Sequence, residues 1–362
     1  MAWSSRALRG LSLGVQLLAL LMCTAGLAPY TYDLFGLGPL TVYFAMVVFV
    51  FAGYAAIIAV HEAGHVAMAA VFGWRVPVVS VMWITLWPRP FRWRWGRAAF
   101  GGMSGGIIAI PPGGPLGRAG CCGLMTGGAL ATLLFTGALL AASVAFAPGG
   151  AAQRLLASLA ILSAASTISN VLPFSTRGGG TTDGRKLLDA LRGRDIEPFG
   201  RESRLYEEVV LCRPPSAWNA ELVAAVARDA AYGKSTWSGD MLLYSLALSR
   251  RELDDAKRHL ARAAAKTGRT YLILIEQAFL LAYADRDAQA AARLLEGLSA
   301  RRTRPMSTYW RTLGTVQVLS GQSEAAAQSF ARARVLLRRM PFTTATDLEG
   351  IDRLEHLAEV PA

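Results

Sequence analysis

Carboxylates are nearly missing from the first half of this 362-residue chain: through residue 180 only Asp33 and Glu62 stand against ten arginines. Charged residues are 17% of the whole and hydrophobic residues 53%, proportions that exclude an ordinary water-soluble domain for that half. From Thr181 onward the sequence reads as charged, alanine-rich and soluble. Cysteine is also scarce. Cys23, Cys121, Cys122 and Cys212 form no CxxC, and three of them lie in apolar runs, which excludes a disulfide framework or a zinc knuckle. The net charge of +12 does not argue for a nucleic-acid partner, because much of it flanks apolar segments, where arginine anchors to lipid headgroups.

The long apolar runs predict a polytopic membrane domain over residues 1–190 with about four spans, near 11–30, 40–72, 120–146 and 155–173. The first run can also be read as a cleaved signal peptide, with Ala25-Gly26-Leu27-Ala28 as the cleavage site; a retained span is the reading adopted. Between the second and third spans, residues 76–100 are basic, aromatic and β-branched, and predict a small β segment at the membrane interface. Residues 101–117, rich in glycine and proline, read as loop. In a four-span arrangement Arg6, Arg9, Arg75, Arg89, Arg92, Arg94, Arg97, Arg118, Arg177 and Arg185 fall on one side of the membrane, so both termini are expected in the cytoplasm.

Residues 191–362 predict a soluble α-helical repeat domain, which makes the whole chain mainly α. Ala256, Leu260 and Ala263 recur 35 residues on as Ala291, Leu295 and Leu298, and again as Ala326, Phe330 and Ala333. The preceding helix keeps the same register: Leu243 and Leu246, then Ala278 and Leu281, then Leu313 and Val316. Helix pairs repeating at this length resemble tetratricopeptide-type repeats, with an irregular alanine-rich bundle as the alternative.

The chemistry sits at His61-Glu62-Ala63-Gly64-His65, at the end of the second apolar run. Positions i and i+4 share a helix face, so both imidazoles can reach one metal ion while Glu62 reaches a water without ligating. An ionisable residue inside a span is costly and calls for a functional reason. A catalytic zinc takes three protein ligands. The next carboxylate is Asp183, in a stretch where Pro173 and a run of glycines break the fourth span on the same membrane face. That glycine-rich stretch lacks the preceding strand and following Gly-Lys-Ser/Thr of a phosphate-binding loop. His259 and His356 lie among charged residues of the repeat region and are expected to be solvated.

These paired motifs resemble the site-2 protease family of intramembrane zinc metalloproteases, over roughly residues 40–190. HEAGH matches that family's first motif, and Asn170-x-x-Pro173 with Asp183-Gly184 its second. The residues from Val76 to Pro112 resemble its membrane-associated β-hairpin. The resemblance implies Zn2+ held by His61, His65 and Asp183, with Glu62 as catalytic base. The gap from Pro173 to Asp183 is longer than the family's compact form, with Asp189 the fallback ligand. Gly127-Gly128 stands where many relatives have Gly-Pro followed by Asn.

The implied activity is cleavage of a peptide bond in or near a partner's transmembrane helix. An unwound substrate would add to the edge of the β segment, and Asn170 would either grip its backbone or position the helix break. In bacterial relatives the substrates include anti-sigma factors and membrane-bound transcription regulators, and the Arg-over-Lys, alanine-rich composition suits a bacterial cell membrane. The helical repeats are expected to bind a protein partner or the substrate's soluble part. The rival from another class is an inactive membrane scaffold acting through its repeats; a proton-relay transporter has little support, with no inverted repeat visible.

Overall fold

The computed structural model describes residues 5–35, 39–88, 91–95, 105–113, 116–175, 181–193, 196–268, 270–298, 303, 306–338, 350–352 and 354–355, with side chains of the first two helices described over 7–23 and from 44 onward. The chain divides into two compact units, with the main boundary in sequence after Ile196. The expected boundary at 190/191 falls inside a helix, α5, that belongs to the first unit.

The first unit is built from α1 (Ser5–Phe35), α2 (Pro39–Val71), α3 (Arg118–Val144), α4 (Ala151–Val171) and α5 (Asp183–Leu191), with a four-stranded sheet between α2 and α3. Among the described residues three segments are long and apolar enough to cross a membrane: Phe44–Val71, Arg118–Val144 and Ala151–Val171. The first expected span lies on α1, whose described apolar stretch, Ala7–Cys23, is shorter. That helix is part of the packed unit. Ala19 and Cys23 are buried against Ile57 of α2 and Leu162 and Ala165 of α4, and the Cys23 thiol donates to the Ser158 carbonyl at 3.2 Å.

Apolar side chains alone do not drive helices together in lipid, so small residues and hydroxyls carry the contact between α3 and α4. Thr136 donates to Ser163 at 2.8 Å, and the Ser163 hydroxyl lies 3.3 Å from the Thr132 carbonyl. Both threonines and Ser163 are buried.

The sheet has the order β3-β2-β1-β4, all antiparallel, with β1 Arg75–Val81, β2 Ile84–Pro88, β3 Phe91–Trp95 and β4 Gly105–Ile110. The strand β4 corrects the expectation of loop over 101–117. The first of its two leading glycines fits a strand because another element presses on it: a Cβ on Gly105 would lie 2.6 Å from both Ile58 and the Glu62 carboxylate. Residues 96–104 of the expected β segment lie outside those described. One face of the sheet, with Val78, Ser80, Thr85, Ile108 and Ile110, is buried. Trp83 stacks on Phe51 with ring centroids 5.1 Å apart, so the β1–β2 turn lies alongside α2 rather than beyond its end.

The second unit comprises α6 (Ile196–Val210), α7 (Ala220–Ala231), α8 (Trp237–Arg250), α9 (Leu253–Thr267), α10 (Tyr271–Tyr283), α11 (Ala288–Glu296), α12 (Ser307–Leu319) and α13 (Ser323–Arg338). The pairs α8 with α9, α10 with α11 and α12 with α13 pack along their lengths. All of the small and apolar residues that recur at 35-residue offsets in the second helix of each pair are buried, except the half-buried Leu298. Volume is exchanged between repeats. Tyr244 and Phe279 occupy one repeated position where the third pair has Gly314, and the ring of Phe330 fills that space.

Polar groups lock α6, α8 and α9 together. Buried Glu202 accepts from the Thr236 backbone at 2.6 Å and from the Thr236 hydroxyl, which holds the N-terminus of α8. Lys266 donates to Asp240 at 2.6 Å, to the Ser235 hydroxyl at 2.7 Å and to the Ser235 carbonyl at 2.6 Å. His259 corrects an expectation. It is not solvated but largely enclosed, with Nδ1 3.8 Å from Oδ1 of the fully buried Asp240, because α9 must cover that carboxylate. His356 lies outside the described residues. Burial raises the Asp240 carboxyl, but the nearby His259 imidazole and hydrogen bonds from Lys266 and Ser235 outweigh it and hold the group below its ordinary value.

Removing this carboxylate strands Lys266 in a partly buried site. Asp240→Ala is expected to cost about 3 kcal/mol, seen in the intact protein as loss of hydrogen-exchange protection in α8 and α9 by roughly a hundredfold. A folded-state value below the unfolded one adds stability that is present above about pH 4 and lost as the pH falls. Intrinsic-rate-corrected protection should therefore stay level from pH 8 to 5 and drop below 4, and should show no such drop in the variant.

Candidate metal centre

Three elements meet at the site. α2 carries His61, Glu62 and His65, all buried; α3 packs across it; and α5 packs against α3 and α4 with Asp183 at its first position. The crossing of α2 and α3 is close because two glycines face each other. A Cβ on Gly64 would overlap the Gly127 carbonyl, and one on Gly127 would come within 2.5 Å of the Gly64 carbonyl. The approach brings the backbone of α3 onto the histidines: Nδ1 of His65 donates to the Leu124 carbonyl at 2.7 Å, and a Cβ on Gly128 would lie 2.5 Å from both Nε2 atoms.

Asp183 reaches the site through a clasp at the end of α4. Thr182 caps α5, its hydroxyl accepting from the Arg185 backbone at 3.3 Å and donating to the Leu172 carbonyl at 2.6 Å. Its backbone N–H donates to Phe174 at 3.2 Å, and Ser175 bridges to Thr181. Gly184 has no side chain because the Val171 backbone occupies that space. The bridge brings Ser175 and Thr181 side by side, so the long spacing between Pro173 and Asp183 does not carry Asp183 away from the histidines. Asp189 is not at the site, since its carboxylate pairs with Arg185 at 2.8 Å.

Nε2 of His61, Nε2 of His65 and Oδ2 of Asp183 form a triangle with edges of 3.1, 2.9 and 3.1 Å. Because Nδ1 of His65 is spent on a carbonyl, a neutral His65 presents a lone pair at Nε2. Three acceptors so close need positive charge among them, either shared protons or one metal ion. Metal–ligand bonds of about 2.0–2.1 Å at tetrahedral angles place ligand atoms roughly 3.3 Å apart. The triangle therefore fits a metal ion with a small outward adjustment, and the three residues form a group able to hold one. Nδ1 of His61 is buried without a hydrogen-bond partner among the described residues. Burial raises the Asp183 carboxyl, but the imidazole hydrogen bonds and the charge of Lys186 outweigh it and hold the group well below the usual carboxylate range. It is the ligand form that is favoured.

Glu62 does not join the triangle. It is buried beside it against Gly105 of β4, within electrostatic reach of His65, His61 and Asp183. Asn170 is half-buried in the last turn of α4, next to the Val171 on which Gly184 rests, and makes no contact with the three ligand atoms among those described. Sequence reasoning noted Gly127-Gly128 only as a departure from the family motif, and missed Leu124, Gly105 and Lys186, whose ammonium lies 3.6 Å from Oδ1 of Asp183. Only Lys186 carried a signal, as a cation three residues along the helix from the ligand.

Comparison of the chain with protein-family models, with curated proteins and with solved structures gives no match. What the site can do is argued from its own geometry.

The helix crossing makes a direct prediction. Gly64→Val would force α2 and α3 apart and should leave well under half the wild-type metal per chain, read by elemental analysis of purified protein. Gly137→Val, on the partner helix α3 where a Cβ meets nothing within 4 Å, should retain all of it. Equal metal in both variants would show that the close crossing does not hold the site.

Proposed function

We propose that this protein is an intramembrane zinc metalloprotease of the site-2 protease type, which cleaves a membrane-anchored substrate protein. The observation that carries the reading is the convergence of His61, His65 and Asp183 beside a buried Glu62, on a helix long enough to cross a membrane. Two neutral imidazoles and a carboxylate are a donor set suited to zinc, which in catalytic sites takes water as its fourth ligand. Zinc held there supplies a Lewis acid that makes water nucleophilic near neutral pH.

The chain's own residues do the rest. Glu62 takes a proton from the attacking water and hands it to the departing amine nitrogen, so its position next to the ligands but outside the triangle suits a base. The Leu124 carbonyl keeps His65 in its ligating tautomer. Among the described residues β4 has one unpaired edge, and Gly105 at its start lies against Glu62. An extended substrate segment added to that edge would run past the base, held by main-chain hydrogen bonds. Asn170, at the broken end of α4, is the candidate for holding the unwound backbone.

In this reading α1 is a fourth span, both termini are cytoplasmic, and the cell membrane is bacterial. The sheet is then a membrane-associated segment beside α2. The second unit is a tetratricopeptide-like domain that binds a protein partner or the soluble part of the substrate. The substrates are of the anti-sigma-factor or membrane-bound regulator class.

The test separates ligand from base. Detergent-purified wild-type protein should carry about one zinc per chain, His61→Ala and Asp183→Ala much less, and Glu62→Ala the wild-type amount with no proteolysis of a transmembrane substrate. Absence of zinc from folded wild-type protein, even after zinc is added back, would move the reading to a membrane scaffold acting through its repeats.

A further inference from the structure

The two oxygens of Asp183 have different surroundings. Oδ2 faces both imidazoles at 2.9 and 3.1 Å, while Oδ1 faces the ammonium of Lys186 at 3.6 Å. Asp183 and Lys186 are one turn apart on α5, so the lysine reaches back over its own helix without disturbing the clasp at Thr182. Arg185, the other cation of that turn, is turned away to Asp189 at 2.8 Å. The carboxylate side chain is 15% exposed and that of Lys186 is 38% exposed, so the ammonium stands on the solvent side of Asp183 and the imidazoles on the buried side.

We propose that Lys186 is a positioning residue of the metal centre: by holding Oδ1 it presents Oδ2 alone to the ion, making Asp183 a one-oxygen ligand. The inference rests on the reading of His61, His65 and Asp183 as metal ligands. Two effects of the lysine oppose each other, and they give opposite signs. Its charge repels a bound cation, so removal by that effect alone would tighten metal binding. Its grip on Oδ1 fixes the carboxylate, so removal by that effect loosens binding or lets both oxygens bind. The repulsion acts on an ion farther from the ammonium than Oδ1 is and is weakened by the solvent around a partly exposed lysine, whereas the ion pair with Oδ1, at 3.6 Å, is the nearer interaction. The grip dominates.

The experiment compares wild-type protein, Lys186→Met and Lys186→Arg, each purified in detergent and shown by circular dichroism to keep its helix content. Zinc affinity is measured by chelator competition, and the visible spectrum is recorded after loading with cobalt, whose band intensity falls as coordination number rises. Lys186→Met is expected to bind zinc about tenfold more weakly and to change the cobalt spectrum. Lys186→Arg, which keeps the charge and a donor, should restore both. Unchanged or tighter zinc binding in Lys186→Met with an unchanged spectrum overturns the positioning role and leaves the metal centre standing. A wild-type protein that takes up neither metal overturns the metal centre itself, and the proposal with it. If Lys186→Met does not fold, Lys186→Gln replaces it under the same criteria.

Discussion

The contact between the backbones of Gly64 and Gly127 is the constraint on which the centre depends. Any side chain at either position would hold α2 and α3 apart by the width of a methyl group. With both absent, the helices approach until a carbonyl of α3 accepts from His65 and Gly128 lies against both imidazoles. The same approach closes the buried side of the triangle, so that Asp183 can enter only from the end of α4. The HExxH helix supplies donor atoms, but their direction is set by the neighbouring helix. In an apolar surrounding such close backbone packing does the work that hydrophobic burial does in water.

Polar groups in the two units illustrate different uses of burial. In the second unit each buried charge has partners that share its load. Lys266 uses three acceptors around Asp240, and Glu276 accepts from Tyr244 at 2.5 Å and from Arg311 at 2.6 Å. Those networks fasten helix to helix and present nothing to a ligand. In the first unit the triangle brings three acceptors together with no fixed donor for the one at its buried side. A fold that needed only stability would place an apolar cluster there, since burying ionisable groups costs several kcal/mol each. The arrangement makes sense as a seat for a cation.

Much of the centre is legible in the chain. The i, i+4 spacing of His61 and His65 fixes their common face on any helix, and a carboxylate beyond a proline-broken apolar run in a half almost devoid of acids singles out Asp183. The repeat is legible because its buried alanines recur at one interval. What is not legible depends on contacts between distant elements. Gly105 and Gly106 look like loop residues, since local propensity cannot show that α2 presses against the strand they begin. Leu124 acts through its carbonyl, which every residue has. His259 reads as a surface residue because the carboxylate it covers, Asp240, lies on another helix.

The spacing between Pro173 and Asp183 shows how a motif can lengthen without losing its geometry. A ligand's position is set by where its helix begins, and the start of α5 is fixed by Thr182 on the end of α4 rather than by the number of residues before it. The bridge between Ser175 and Thr181 brings the two ends of the lengthened stretch together beside the start of α5. Gly184 completes the arrangement, because only a residue without a side chain lets α5 start against the Val171 backbone. Three local features, a cap, a bridge and a glycine, thus replace a fixed count. Spacing in sequence is therefore a weaker guide to this ligand than the Thr-Asp-Gly triplet that anchors it.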